Sequence, residues 1–341
     1  MKTTERKTRA TGRATLSDVA REAQVSPITA SRALRGVDTV DAELAERVRT
    51  AAAVLGYVPN PAARALASAR SDTVVVLVPS LTNAVFVDVL EAIYRILQPA
   101  GYEVLIGNSH YDREEEERLI RNYLAHRPSG LIVTGFDRTE AARRLIETSR
   151  IPTVHLMELA QAPGVYCVGL SQAEAGATAA RHLLGRGRRR LAFVAAQLDP
   201  RTLQRGEGFR RALIEEACYD PALELLTPAP SSMALGGELL VSLLERHPDV
   251  DGIFFNNDDL AQGALLEALR RGIPVPGRVA VVGFNDLEGA AHMVPRLTTI
   301  RTPREEMGRR AAELLLAVMR GETVKVPAVD VGFELVTRES T

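Results

Sequence analysis

Lysine is nearly missing from this chain: Lys2, Lys7 and Lys325 stand against 39 arginines in 341 residues. Schiff-base chemistry and phosphate-binding loops both need a placed lysine, and none of the three sits in a suitable motif. Cysteine is scarcer still. Cys167 and Cys218 build no disulfide framework, so they read as small buried hydrophobes in a reducing, cytoplasmic setting. No stretch of 18 apolar residues exists to span a membrane, and the charged, Thr-rich N-terminus lacks the apolar core of an export signal. The six histidines show no HxxxH spacing and no CxxC pair joins them, so no metal site is expected. GxSxG is absent, and no GxGxxG follows a strand. No cofactor and no enzymatic activity are expected.

What is there is ordinary globular composition, 46% apolar and 25% charged, in a length that suits two or three domains. The net charge of −1 hides an asymmetry. Residues 1–71 hold 12 Lys+Arg against 7 Asp+Glu, whereas the other 270 hold 30 against 36. A basic head on an acidic body points to a polyanion as the partner of the head, although an excess of five also suits plain solubility. Glu114–Glu117 reads as a solvated helix face, and the run 186–190 (RGRRR) as a polar turn.

The head breaks into short elements. Residues 1–13 are polar, basic and aperiodic and read as a disordered arm. Thr15-Leu16-Ser17-Asp18 is a capping box with Asp in the Glu place, followed by apolar Leu16, Val19, Ala20 and Ala23 at helical spacing. Gln24-Val25 makes a turn. Ser26 is an N-cap and Pro27 suits the first helical position. Ala30, Ala33 and Leu34 then face inward, leaving Thr29, Ser31 and Arg32 outside. Asp41 caps a third helix, with Leu44, Val48, Ala51 and Leu55 inward, ending near Gly56-Tyr57.

The body alternates strand and helix. Strands are expected over 73–79, 103–107, 130–135, 152–157, near Tyr166, and over 190–196, 252–257 and 279–285. Helices are expected over 84–98, 112–125, 139–148, 172–184, 205–217 and 259–271. Two series of βαβ units predict two doubly wound parallel-sheet lobes, with ligands beyond the carboxyl ends of the strands. Polar residues gather at those ends: Ser80, Thr82 and Asn83; His110 and Tyr111; Thr134; Glu158; Asp199, Arg201 and Arg205; Asn256, Asn257 and Asp258; Asn285 and Asp286. Amides and carboxylates there suit sugar hydroxyls, or else cap the following helices.

TLSDVAREAQVSPITASRALRG (15–36), with VDAELAERVRTAAAVLGYVPNPAARALASARS after it, resembles the head of the LacI family, the VxxxxLGYxPNxxARxL stretch most of all. In the body LVPSLTNAVFVDVLEAI, DGIFFNNDDLAQGAL and VAVVGFNDLEGAAHMVPRLTTIRTPREEMGRRAAELLL are similar to the effector domains of the same family. The resemblance therefore spans nearly the whole chain. It implies a helix-turn-helix DNA-binding domain at 14–59, a hinge helix and linker at 60–71, and a ligand-binding and dimerisation body at 72–341. That body resembles periplasmic sugar-binding proteins, with an N-lobe of about 72–163 and 292–322 and a C-lobe of about 164–291 and 323–341. Pro27, Ile28 and Arg32 would then face base edges, Arg32 bridging guanine O6 and N7. Thr15, Ser26, Thr29, Ser31, Tyr57 and Asn60 would hold the DNA backbone. Leu66 would wedge into the minor groove.

The effector pocket implied is Thr82, Asn83, His110, Glu158, Arg201, Arg205, Asn257 and Asn285. The family often has Asp at position 285; Asn there removes a charge that would repel an acidic ligand. VPSLTNAVFVDVL, HYDREEEERLI and AAQLDPRTLQRGEGF are closer still to gluconate-responsive members. That implies a repressor of sugar-acid metabolism, a homodimer on near-palindromic double-stranded operator DNA. Its effector would be gluconate, 6-phosphogluconate or 2-ketogluconate, which Arg201 and Arg205 suit as a carboxylate clamp. A neutral sugar or a purine stays open, because members with other ligands also carry Arg here. A solute-binding protein with no role in gene control is the remaining alternative. The C-terminal VGFELVTREST has no heptad repeat, which favours a dimer over a tetramer held by a helical tail.

Overall fold

The computed structural model describes residues 14–37, 39–58 and 71–341. The chain divides after Ser71 into two compact units.

The first unit is three helices, α1 (Leu16–Glu22), α2 (Pro27–Leu34) and α3 (Ala42–Val54). The capping box at α1 forms as expected: Asp18 N donates to Thr15 Oγ1 at 3.3 Å and Thr15 N to Asp18 Oδ2 at 2.9 Å. Ser26 and Asp41 cap α2 and α3. All three helices end alike. Val25, Val37 and Tyr57 donate their N–H back to Ala20, Arg32 and Ala52, while the residue before each donates one turn tighter. This closure needs a left-handed residue: Gly36 and Gly56 supply it freely, and Gln24 adopts it at φ 53°. The core is mostly alanine, with Val19 and Val48 fully enclosed. Small side chains let short helices approach closely enough to bury one another.

The second unit holds two six-stranded sheets, ordered β11-β5-β4-β3-β1-β2 and β12-β10-β9-β8-β6-β7. The first comprises β1 (Thr73–Val78), β2 (Glu103–Asn108), β3 (Gly130–Thr134), β4 (Thr153–Met157), β5 (Tyr166–Gly169) and β11 (Ala328–Asp330). The second comprises β6 (Leu191–Ala196), β7 (Glu224–Thr227), β8 (Gly252–Phe255), β9 (Ala280–Asn285), β10 (Thr298–Arg301) and β12 (Glu334–Val336). Every pairing is parallel except β10 with β12. Helices α4 (Ala84–Leu97), α5 (Arg113–Leu124), α6 (Glu140–Ser149) and α11 (Arg304–Met319) cover the first sheet. Helices α7 (Gln172–Gly185), α8 (Pro200–Glu215), α9 (Met233–Arg246) and α10 (Asp258–Arg271) cover the second. In β1, Val74, Val76 and Val78 face the α4 side, and Val75 and Leu77 face α5 and α6. Burial on both faces explains the unbroken apolar run.

The lobe boundaries differ from the expected ones. Tyr166 does not open the second lobe: β5 pairs with β4, His155 opposite Cys167, so the first crossing comes at 170–171. The stretch 292–322 is split, because β10 pairs with β9 in the second sheet whereas α11 packs on α4 in the first. The stretch 323–341 is split too, with β11 beside β5 and β12 beside β10. The chain thus crosses between lobes three times, near 170, 302 and 332. A strand's own residues report that it is a strand but not which sheet it joins; distant partners decide that.

Elements β7, β10, β11, β12, α9 and α11 fall where the sequence reading assigns nothing. Gly236 and Gly237 lower the helical propensity of α9, yet a Cβ at Gly236 would stand 2.1 Å from Leu260 O. Close packing on α10 demands that glycine. The helix α7 meets α8 in the same way: a Cβ at Gly208 would lie 1.7 Å from Ala173 O.

Candidate functional site

In the first unit, α2 presents the candidate reading face. Pro27, Ile28 and Arg32 are exposed, Ile28 at 68%, and Ser31 is partly so. Spacings of three and four, Ile28 to Ser31 and Arg32 and Pro27 to Ser31, put them on one side of the helix, opposite buried Ala30 and Ala33. Arg32 has no side-chain partner among the described residues, so its guanidinium is free for a ligand. Thr29 is held by Ser26, with hydroxyl oxygens 2.8 Å apart, and the Thr15 hydroxyl donates to Asp18 Oδ2 at 2.7 Å. These hydroxyls are oriented by the caps they make. Tyr57 packs partly into the helical core. Asn60 and Leu66 lie outside the described residues.

In the second unit a cavity of about 350 Å³ lies between the lobes, at the carboxyl ends of both sheets. Thr82, Asn83, His110, Arg201, Arg205, Asn257 and Asn285 line it. Glu158 does not. It is 6% exposed, accepts from Gln204 Nε2 at 2.7 Å and Phe136 N at 3.3 Å, and stands 3.8 Å from Arg201 Nη1. The carboxylate buttresses Arg201 and ties one lobe to the other.

The arginines belong to α8, which begins five residues earlier than the expected helix, at Pro200 rather than 205. Spacing of four puts both on one face of that helix. They are not equivalent. Arg201 donates to Asp199 Oδ2 at 3.0 Å. Burial works against its charge, and Asp199 and Glu158 more than offset that, so its pKa is raised. Arg205 donates from Nε to Arg201 O at 3.1 Å and from Nη1 to Asn256 O at 2.9 Å, and lies 4.1 Å over the Phe284 ring. Among the described residues no carboxylate lies within ion-pair distance of it, and its Nη2 has no protein partner. Burial pulls its pKa down to about 10. Arg205 is a desolvated cation held by carbonyls and a ring, which leaves room for an anion.

Capping and lining coincide. Asn83, Asp199 and Asn257 are the N-caps of α4, α8 and α10, so three helix N-termini open on the cavity, each favouring negative charge. The Asn83 amide donates to Tyr111 Oη at 3.4 Å, and Asn257 exchanges hydrogen bonds with Ser231. For Asp199, burial pushes the carboxyl up, but Arg201 and Arg205 outweigh it and hold the group ionised. Asn285 sits at φ 112°, a conformation that costs an L-residue roughly 1–3 kcal/mol. Its carbonyl accepts from Arg304 of α11, which also pairs with Asp88 at 2.7 Å.

Sequence reasoning missed several walls of this cavity: Phe284, Gln172, Ser231 and Thr302. Phe284 and Asn285 are chain neighbours, which in a regular strand face opposite ways; the turn of backbone at Asn285 lets both reach the cavity. Gln172 and Thr302 stand where the chain crosses between lobes, a position that only the sheet order reveals. Among the described residues no group of three metal-ligating side chains occurs, and no helix is long and apolar enough to cross a membrane.

Residues 15–60 match the model of bacterial regulatory proteins of the lacI family, and 180–341 that of a periplasmic binding protein-like domain. The chain is 66% identical, over 99% of its length and 98% of the relative, to the HTH-type transcriptional regulator GntR of Pseudomonas aeruginosa. The solved structure of the transcription regulator GntR from Chromobacterium violaceum is similar at TM-score 0.77 and 48% identity, covering 79% of this chain and 98% of that one. A LacI-family regulator from Silicibacter pomeroyi matches at TM-score 0.89 and 34% identity over 96% of this chain and 99% of its own. A helix-turn-helix head, two parallel-sheet lobes and these likenesses agree: the chain belongs to the LacI family of bacterial transcriptional regulators.

Proposed function

We propose that this regulator represses genes of sugar-acid metabolism from a near-palindromic operator, as a homodimer in the cytoplasm, and that a gluconate-type acid in the interlobe cavity controls it. The observation that carries the ligand class is Arg205, a buried cation without a carboxylate partner in a cavity where three helix N-termini converge. The ligand carboxylate pairs with Arg205; Arg201, already neutralised by Asp199, donates to hydroxyls. The three GntR-like stretches support the same choice. Nothing is turned over, because binding alone does the work.

Pro27, Ile28 and Arg32 read bases, and Thr15, Ser26, Thr29, Ser31, Tyr57 and Asn60 hold the DNA backbone. Leu66 wedges between base steps, in a hinge segment, 60–71, that relays cavity occupancy to the head. The acid acts as inducer. A swing from mostly bound to mostly free operator needs a preference of about 5.5 kcal/mol between states.

Calorimetry with gluconate, 6-phosphogluconate, 2-ketogluconate, glucose and a purine tests the ligand class. At least one acid binds, with an affinity that glucose does not match. Binding of glucose or the purine alone overturns the acid reading. A promoter footprint that fades on adding the acid supports induction; one that strengthens reverses the sign.

A further inference from the structure

Two residues of the cavity wall each carry a buried side-chain atom with no hydrogen-bond partner among the described residues: Gln172 Oε1 and Thr302 Oγ1. Gln172 is 4% exposed and Thr302 7%. Buried polar groups are nearly always paired, and an unpaired one costs as much as a lost hydrogen bond. Both residues stand at chain crossings. Gln172 opens α7 just after the first, and Thr302 follows β10 at the second.

The chemistry each atom asks for is defined. Gln172 Nε2 donates to Met157 O at 3.0 Å. Exchanging the amide's two ends would set oxygen against a carbonyl, so the unpaired atom is an acceptor and requires a donor. The backbone around it is itself held unusually: Met157, also on the cavity wall, sits at φ 73°. The Thr302 hydroxyl both donates and accepts.

We infer that Gln172 and Thr302 are specificity residues for the hydroxyl-bearing part of the effector, completed only when the ligand donates a hydrogen bond to Gln172 Oε1 and shares one with Thr302 Oγ1. A polyhydroxylated chain meets this demand, whereas an unsubstituted aliphatic acid satisfies Arg205 and leaves both atoms unpaired. Because the two atoms belong to segments that join the lobes, the same hydrogen bonds couple recognition to lobe geometry. The inference rests on the effector reading above for the identity of the acid, but not for the unmet hydrogen bonds.

Thr302→Val and Gln172→Met keep shape and remove the unpaired atom. Thermal melting without ligand and calorimetry with gluconate and with hexanoate, which carries the carboxylate but no hydroxyl, form the test. Removing an unsatisfied group leaves the Tm of the ligand-free protein unchanged or raises it for Thr302→Val. The same variant weakens gluconate about tenfold while moving hexanoate little, so the preference for the polyol acid narrows. A lower ligand-free Tm with gluconate affinity intact overturns the inference and makes these ordinary packing residues. If the unmodified protein binds no acid, the effector reading fails by itself. The same comparison then runs with glucose against its deoxy analogues, and a preference that survives Thr302→Val again overturns the inference.

Discussion

The head and the body place their working residues in opposite physical states. In the head, Ile28 and Arg32 stand exposed above an alanine core, without a side-chain partner among the described residues, and folding asks nothing of them. In the body, Arg201 and Arg205 are 8% and 7% exposed, stripped of water and partly paired before any ligand comes. The difference follows from the targets. A duplex is a large polyanion met at a surface, where water and salt screen each contact. A small effector is enclosed, so each of its contacts is made in a low dielectric and counts for more.

Several measurements would sharpen or break this contrast. Arg205→Met should have the largest effect, a loss of at least about 100-fold in acid affinity, read by calorimetry; a loss under fivefold would show that Arg205 is not the anion partner. Gly208→Ala forces α7 from α8 beneath the arginines and should cost about 1–3 kcal/mol or more of stability, read by chemical denaturation. An unaffected midpoint would mean that the two helices slide apart freely.

The body also holds Asp258, fully buried, accepting from Thr299 Oγ1 at 2.6 Å and Leu287 N at 2.7 Å. Burial pushes its carboxyl up to about 6. A raised carboxyl binds its proton more tightly when folded than when unfolded. Its contribution is therefore present at low pH and is lost as pH climbs from about 4 through about 6, by roughly 2–3 kcal/mol. Asp258→Asn, titrated by urea unfolding between pH 4 and 7, should flatten that slope; an unchanged slope would assign it to another group. In the head, Arg32→Ala should weaken the operator by about 1–3 kcal/mol and relax preference at one base, seen by binding to a set of mutated sites. An equal loss on every sequence would make Arg32 a phosphate contact. Smallest of all, Gln24→Gly should raise the thermal stability of the head by no more than about 1 kcal/mol by relieving the left-handed turn.

Legibility differs between the regions for the same reason. The head could be read almost residue by residue. The capping box, the N-caps and the N1 proline are local, with every partner within a few positions. In the body eight of the strands are visible because parallel strands buried on both faces read as apolar runs, and Thr82, Asn83, His110, Arg201, Arg205, Asn257 and Asn285 stand beyond strand ends. Hidden are β7, β10, β11, β12 and α11, the helix α9, whose glycines lower propensity for the sake of a neighbour, and the exchange of segments between lobes. Glu158 was placed at the wall of the cavity although it supports Arg201 from outside it.

The amino-acid order alone determined the helices of the head, the face of α2 that reaches outward, the two-lobed alternation of the body and the cluster of polar groups beyond its strands, since each depends on spacing along the chain. Tertiary structure decided which sheet claims β5, β10 and β11, which arginine is left without a carboxylate, and which side chains at the crossings go unpaired. Those outcomes depend on contacts between residues far apart in the chain, where burial and pairing are settled only once both lobes have closed around the same space.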